Sequence, residues 1–199
     1  MINEFFDKVY VLTTSRWDRC KAELDNHGIK AEKFKSVPDN DRFRSFNLSQ
    51  QKIMLEAYYQ GLQSVLVLED DVVFQNMEHL PNVLDDLNRW DWDICYFGGN
   101  YQPHERVIQP SSVSKNLRRI YNAWTTHAIG YQREAIEFIH QNYKADQMYD
   151  AWLDDHVLAD MYTVATVPMI AVQRPGFADL WQRNVDYTQT WERSLDFIR

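Results

Sequence analysis

Residues 64–74, S-V-L-V-L-E-D-D-V-V-F, set four apolar side chains, Val65 to Leu68, directly against three carboxylates, Glu69, Asp70 and Asp71. An uninterrupted apolar run of this length suits a strand buried on both faces of a largely parallel sheet, which has no solvent side and so does not alternate. The acids then mark the point where that strand reaches solvent. Ligands of α/β sheets collect outside the carboxyl ends of strands. In extended chain Glu69 and Asp71 project from one face and Asp70 from the other, a spacing that lets a single strand end hold a divalent metal or a metal–diphosphate. Three adjacent carboxylates beside hydrophobic chain repel one another and are costly to desolvate, so a cation or a set of donors must compensate them. A solvated acidic turn is the plain alternative.

The chain has 199 residues, enough for one substantial domain, and 45% hydrophobic content with 14% aromatics supplies its core. A net charge of -8 argues against a general nucleic-acid or anionic-membrane binder, which works through surplus Lys and Arg. Met1 to Lys8 carries Glu4 and Asp7 and lacks the pattern of a signal peptide. No apolar run reaches membrane-spanning length. Cys20 and Cys95 are too few and too separated for a disulfide framework or zinc site, and read as core thiols of a reducing, cytoplasmic compartment.

Upstream of the acidic strand, Val9 to Leu12 reads as a first strand and Ala31 to Val37 as a second. Ser15 and Asp18 form a capping-box variant before a helix that Gly28 closes. Thr13, Thr14, Arg16 and Arg19 therefore sit just beyond a strand end, where a nucleotide's base or phosphates would be met; exposed helix arginines are the alternative. Pro38 to Arg44 reads as a loop and Ser49 as the cap of a helix carrying Ile53, Met54, Ala57 and Tyr58. The order β-α-β-α-β is that of a parallel sheet with crossover helices.

Downstream, Leu80, Val83, Leu84 and Leu87 form a helical stripe, and Ile94 to Phe97 a strand ended by Gly98 and Gly99, where close backbone approach to a ligand is allowed. Residues 100–116 read as a long loop, and Arg106, Lys115, Arg118 and Arg119 make the region locally basic. Residues 150–160 interleave Asp150, Asp154, Asp155, His156 and Asp160 with apolar residues on a helix whose first turn favours acids. A solvated acidic face does not explain His156, which is a candidate metal ligand beside Glu69 and Asp71. The aromatic tail with Trp181, Tyr187 and Trp191 is suited to dock. Trp124, Trp152 and Trp181 are the rings available to stack on a sugar, against a core role for each.

Several of these motifs, in order, resemble glycosyltransferase family 25, the lipopolysaccharide-type galactosyltransferases related to collagen galactosyltransferases, in a compact form. They are V-Y-V-L-T-T-S-R-W-D-R at 9–19, L-S-Q-Q at 48–51, V-L-V-L-E-D-D-V at 65–72, D-I-C-Y-F-G-G at 93–99, T-H-A-I-G-Y at 126–131, an acid followed by apolar helix near 150–158, and A-V-Q-R-P-G-F-A-D-L at 171–180. The resemblance implies a single GT-A-type, Rossmann-like α/β domain over residues 1–199, with a mostly parallel central sheet flanked by helices. Its first half, 1–99, would bind a nucleotide sugar and its second, 100–199, the acceptor. Implied with it are a UDP-sugar donor, Mn²⁺ or Mg²⁺ at Glu69, Asp70 and Asp71, and inverting transfer of a hexose, galactose or glucose, to an acceptor hydroxyl of a carbohydrate or other molecule. Arg16 and Arg19 match the arginines after the first strand, and Asp155, with Asp150 and Asp154 as rivals, the later acid that serves as base. Gln173 and Asp179 match the closing element, where Ala178 replaces a Ser, and Gln50 stands where the family has a His.

Two other classes compete: a Mg²⁺-dependent phosphohydrolase or phosphotransferase, and a non-catalytic nucleotide- or carbohydrate-binding module. The Asp-x-Asp-x-Thr motif of many phosphatases is missing here, because Glu69 takes its first position and Val73 its fifth.

Overall fold

The structure is a computed structural model and describes residues 1–102, 104 and 107–199; Arg106 of the basic stretch lies outside the described residues. Along the chain run α1 (Ile2–Phe5), β1 (Lys8–Thr13), α2 (Trp17–Asn26), β2 (Glu32–Lys35), α3 (Arg42–Tyr59), β3 (Ser64–Glu69), β4 (Val72–Phe74), a 3-10 turn (Met77–His79), α4 (Leu80–Arg89), β5 (Ile94–Tyr96), β6 (Ser111–Ser112), β7 (Leu117–Arg119), β8 (Ala128–Gln132), α5 (Arg133–Asn142), α6 (Tyr149–His156), β9 (Thr163–Thr166), β10 (Ala171–Gln173), β11 (Gly176–Ala178), β12 (Arg183–Val185) and α7 (Thr188–Ile198).

An eight-stranded sheet in the order β2-β1-β3-β8-β5-β9-β7-β6 forms the centre. Strands β1, β2 and β3 run parallel, as the crossover order requires. Antiparallel β8 then intervenes between β3 and β5. With β5 and β9 parallel and β7 antiparallel to both β9 and β6, only β8 and β7 oppose the common direction, and the sheet is mixed by pairing. β8 lies there because it leads straight into α5, which packs on the same face as α3.

The central strands carry side chains into two cores. Val65 and Val67 of β3 join Ile53, Met54 and Ala57 of α3 and Ala135, Ile136 and Ile139 of α5. Leu66 and Leu68 join Cys20 and Leu24 of α2 and Leu80, Val83, Leu84 and Leu87 of α4. Each such Val or Leu contributes about 1.5–3 kcal/mol on burial. This double coverage is why β3 reads as apolar without alternation.

Two helix starts differ from those read off the sequence. α2 begins at Trp17 with Arg16 in the capping position and no side-chain cap, so Ser15 lies outside it. Gly28, at φ 64, does close that helix. α3 begins at Arg42, where Asp41 Oδ1 accepts from the amides of Phe43 and Arg44 at 2.9 and 3.3 Å. Ser49 is therefore internal, its hydroxyl donating to Ser45 O and accepting from Val37 N. The supposed loop 100–116 holds the buried ring of Tyr101 and strand β6. The tail docks through α7, whose Trp191, Ser194 and Ile198 are buried.

Candidate active site

The carboxyl ends of β1 and β3 lie side by side, Leu12 opposite Glu69, and above them opens a cavity of about 370 Å³. Thr13, Thr14 and Arg16 line it from β1 and the turn that follows, Ser36, Asp39 and Arg42 from the segment after β2, Glu69 from the end of β3, and Asp70 and Asp71 from the turn between β3 and β4. Gln173, Tyr187 and the β11–β12 hairpin, through Asp179 and Trp181, complete the wall.

The three acids have different surroundings. Asp70 is buried and turned inward: its Oδ2 accepts from Thr13 Oγ1 at 2.7 Å and Thr14 N at 3.2 Å, and its Oδ1 from Arg16 Nε at 2.8 Å. All of its capacity goes to holding the β1–α2 turn. Glu69 instead accepts from Thr126 Oγ1 at 2.5 Å. Thr126 is delivered by antiparallel β8, since Glu69 N donates to His127 O at 3.0 Å. Asp71 Oδ2 accepts from Gln173 Nε2 at 3.0 Å, while its Oδ1 is buried with no hydrogen-bond partner among the described residues. Burial, reinforced by the charge of Asp71, pushes the Glu69 carboxyl up to about 8, against the Thr126 hydrogen bond. Burial also raises Asp71, against the opposing pull of Arg16 and Gln173. In the bare fold these two neighbouring groups resist carrying charge together.

Arg16 ties the site to its outer wall. Besides Asp70 it lies 3.7 Å from Asp71 and 3.5 Å from Asp179, and its Nη1 donates to Phe177 O at 3.0 Å. Arg42 Nη1 donates to Asp179 O at 3.1 Å. Arg19 is exposed and borders a smaller recess of about 120 Å³ with Arg16, Arg174 and Phe177.

The acids of α6 divide by helix face. Asp150 and Asp154, one turn apart, point inward. Asp150 Oδ2 accepts from Thr125 N at 3.3 Å, its charge is felt at Glu69, and burial raises its proton affinity. Asp154 is spent on structure, accepting from Asn122 Nδ2 and Ala123 N at 3.1 and 3.0 Å and lying 3.1 Å from His104 Nε2. Asp155, the preferred candidate for the base, is exposed on the outer face of α6 and accepts from Gln147 Nε2. His156 is likewise exposed at the end of α6, its ring 5.9 Å from that of Trp152. The structure does not bring His156 to Glu69 and Asp71. Among the described residues no group of three His, Cys, Asp or Glu side chains is arranged to hold a metal alone.

Gly98 and Gly99 also differ from their reading as a ligand approach. A Cβ at Gly98 would lie 1.7 Å from Ala171 O, and one at Gly99 2.9 Å from the ring of Tyr101. The close approach is the protein's own chain at β10 and loop 100–102. Nor do Arg118 and Arg119 of the basic stretch turn to a common anion site. Arg119 is buried and donates to Ala159 O and Met161 O, and Arg118 to Ser114 O, Leu117 O and Arg199 O. Both cysteines are buried and unpaired, with the Cys20 thiol pushed up to about 12 chiefly by burial.

Sequence reasoning missed Thr126, Tyr187 and Arg42 as parts of this site, whereas Gln173, Asp179 and Trp181, named from the sequence, do line it. Thr126 had a local signal, a polar residue two positions before an apolar strand. Its partnership with Glu69 depends on the pairing of β8 with β3, which no local pattern encodes.

No protein-family profile matches the chain, and no curated protein does. The resemblance to glycosyltransferase family 25 therefore rests on the short motifs alone. Among solved structures the chain is similar to A197 from STIV, with a TM-score of 0.51 at 9% identity over 84% of this chain and 93% of that one; the likeness is one of fold. A glycosyltransferase involved in glycosylation of the major capsid of PBCV-1 superposes with a TM-score of 0.49 at 12% identity, over 79% of this chain and 81% of that one. The Drosophila β1,4-galactosyltransferase 7, solved with manganese, UDP-Gal and xylobiose, gives 0.41 at 11% identity over 83% and 70% of the two chains.

Proposed function

We propose that this chain is a metal-dependent glycosyltransferase of GT-A type that moves a hexose from a UDP-sugar to an acceptor hydroxyl with inversion, in the cytoplasm. The observation that carries this reading is the Glu69–Asp71 pair beside the cavity: two carboxylates with raised proton affinity, one of them with a buried oxygen that has no partner among the described residues. A divalent cation suits both deficits, and donor phosphates would complete a coordination shell that the described side chains do not fill, as is usual for Mg²⁺ and Mn²⁺.

Glu69 and Asp71 would hold the ion, which when bound supplies charge stabilisation to a departing diphosphate. Thr126 and Gln173 fix the orientation of those two carboxylates. Arg16, anchored by Asp70, presents a second positive charge at the cavity wall. Thr13, Thr14, Ser36 and Asp39 offer polar groups to the nucleoside. Asp150 is the base: partly desolvated and within electrostatic reach of Glu69, it is placed to receive the proton of an attacking hydroxyl.

A phosphohydrolase working through an aspartyl nucleophile finds less support, because Asp70 is spent on Thr13, Thr14 and Arg16. Incubating the protein with a panel of nucleotide sugars, with and without Mn²⁺, and following nucleotide release tests the reading. Release from a UDP-hexose only with the metal is expected; release of inorganic phosphate instead would replace the transferase with the hydrolase.

A further inference from the structure

Three consecutive residues between β7 and β8 join the two halves of the proposed chemistry. Thr126 donates to Glu69 and Thr125 N donates to Asp150, so one short segment holds both the metal-binding acid and the base. Thr125 does this with φ at 73, the left-handed region that a β-branched residue rarely enters. Backbone held in this way collects at functional sites and persists only where its surroundings over-determine it. Here they do: Trp124 exchanges both main-chain hydrogen bonds with Asn100, at 2.8 and 3.0 Å, and Asn100 N lies 3.4 Å from Thr125 Oγ1.

The same geometry turns Trp124 outward. Its side chain is 39% exposed although Ala123, Thr126 and His127 around it are buried. Trp90 and Trp181 are exposed too, but Trp181 packs its edge on Phe43 and belongs to the cavity wall, and Trp90 follows α4. Trp124 alone of the three adjoins Asp150 in the chain's hydrogen bonding. Neither Trp124 nor Asp150 lines the cavity assigned to the donor, while Asp150 acts electrostatically on Glu69 from beyond it.

Resting on the glycosyltransferase reading, we propose that Trp124 is the acceptor platform and that the acceptor is a pyranoside. Its C–H face lies on the indole, whose negative face attracts those edge hydrogens, and one hydroxyl points at Asp150. In the transfer, that hydroxyl's proton passes to Asp150 and its oxygen forms the new bond to the donor's anomeric carbon. The anomeric carbon–phosphate oxygen bond breaks, and the diphosphate leaves with the electron pair. Non-sugar hydroxyls lack the flat apolar face and are poorer acceptors.

The test uses the full chain with UDP-hexose and Mn²⁺. Methyl β-galactoside, methyl β-glucoside and methyl α-mannoside serve as pyranoside probes, with glycerol and a serine-containing peptide as non-sugar hydroxyls. At least one glycoside is expected to accelerate transfer beyond glycerol and peptide. Trp124→Ala should raise its KM about tenfold or more with a smaller change in kcat, leaving the calorimetric affinity for UDP within about twofold, and Trp124→Phe should recover most of the loss. An unchanged KM in Trp124→Ala, or a non-sugar hydroxyl that matches the best glycoside, overturns the platform. Ligand-observed NMR with the same glycosides separates the two readings. Saturation transfer lost in Trp124→Ala, in a protein that turns over no nucleotide sugar, would keep the sugar site and overturn the transferase; turnover without dependence on Trp124 would do the reverse.

Discussion

Arg16 and Asp70 form an ion pair in which Nε and Nη2 both reach the same carboxylate oxygen, at 2.8 and 2.7 Å, while the other oxygen is held by Thr13 and Thr14. Asp70 is 4% exposed and Arg16 28%. Removing one partner of such a pair leaves an uncompensated charge, at a cost of roughly 3–5 kcal/mol for fully buried cases. Asp70→Asn is therefore expected to destabilise by about 2–3 kcal/mol, since the arginine keeps some solvent, lowering Tm by roughly 4–12 °C for a chain of this size.

The acids on either side should behave in the opposite sense. Glu69 and Asp71 repel one another and are raised by burial, so Glu69→Gln and Asp71→Asn relieve a strain of the metal-free fold. Both variants should melt at or above the wild-type temperature in chelator while losing the stabilisation that added Mn²⁺ gives the parent. A fall in Tm in chelator comparable to that of Asp70→Asn would mean that these acids serve the fold.

Among the α6 acids the expected order is distinct for each position. Asp150→Asn should reduce transfer about a hundredfold or more, the scale of a lost general base, with UDP affinity unchanged. Asp155→Asn, on the exposed face, should be near wild type in both respects. Asp154→Asn should cost roughly 1–3 kcal/mol of stability through its buried hydrogen bonds to Asn122 and Ala123. Kinetics and thermal melts on the three variants check the assignment.

His127 supplies a pH dependence of stability. It is fully buried, and burial lowers its pKa to about 4 from 6.5. Because the folded value lies below the unfolded one, the unfolded chain binds more protons between the two. The contribution is present above about pH 6.5 and is lost as pH falls toward about 4, by an amount on the order of 3 kcal/mol. Its Nε2 contact to Ala171 O is long, at 3.4 Å, and Nδ1 has no partner among the described residues. His127→Leu should accordingly fold and show a flatter loss of stability across that interval in denaturant titrations.

Gly98→Ala should be the most damaging small substitution. Its Cβ would fall 1.7 Å from a main-chain oxygen that cannot rotate away, and overpacking against backbone exceeds the usual 1–3 kcal/mol, so a loss of about 3 kcal/mol or more is expected. Equilibrium unfolding measures it; near-neutral stability would remove the packing explanation for this glycine.

How much of this was legible in the chain depended on whether the signal was local. Strand β3 and helix α4 were readable because Val65 to Leu68 and Leu80, Val83, Leu84 and Leu87 are buried in patterns that their own spacing sets. The start of α3 was hidden, because Arg42, Arg44 and Ser45 in its first turns break the apolar stripe, two of them facing the cavity. The extended chain expected through the three acids ends at Glu69, with Asp70 and Asp71 in a turn, and Thr126 and Gln173 reach Glu69 and Asp71 only through the pairing of β8 and β10 with strands far along the chain. Gly98 showed that a backbone approaches closely without showing whose. On α6, spacing put Asp150 and Asp154 on one face, yet which face turned inward depended on packing around Trp152 and Leu153.

The central claim is that Glu69 and Asp71 grip a divalent cation together with a nucleoside diphosphate. Calorimetric titration of UDP into the protein in Mn²⁺ and in chelator measures this directly, with Glu69→Gln and Asp71→Asn as companions. Affinity at least about tenfold tighter with the metal, and collapse of that difference in both variants, is the predicted result. Equal affinity in Mn²⁺ and chelator, or a metal dependence that survives in both variants, would contradict it.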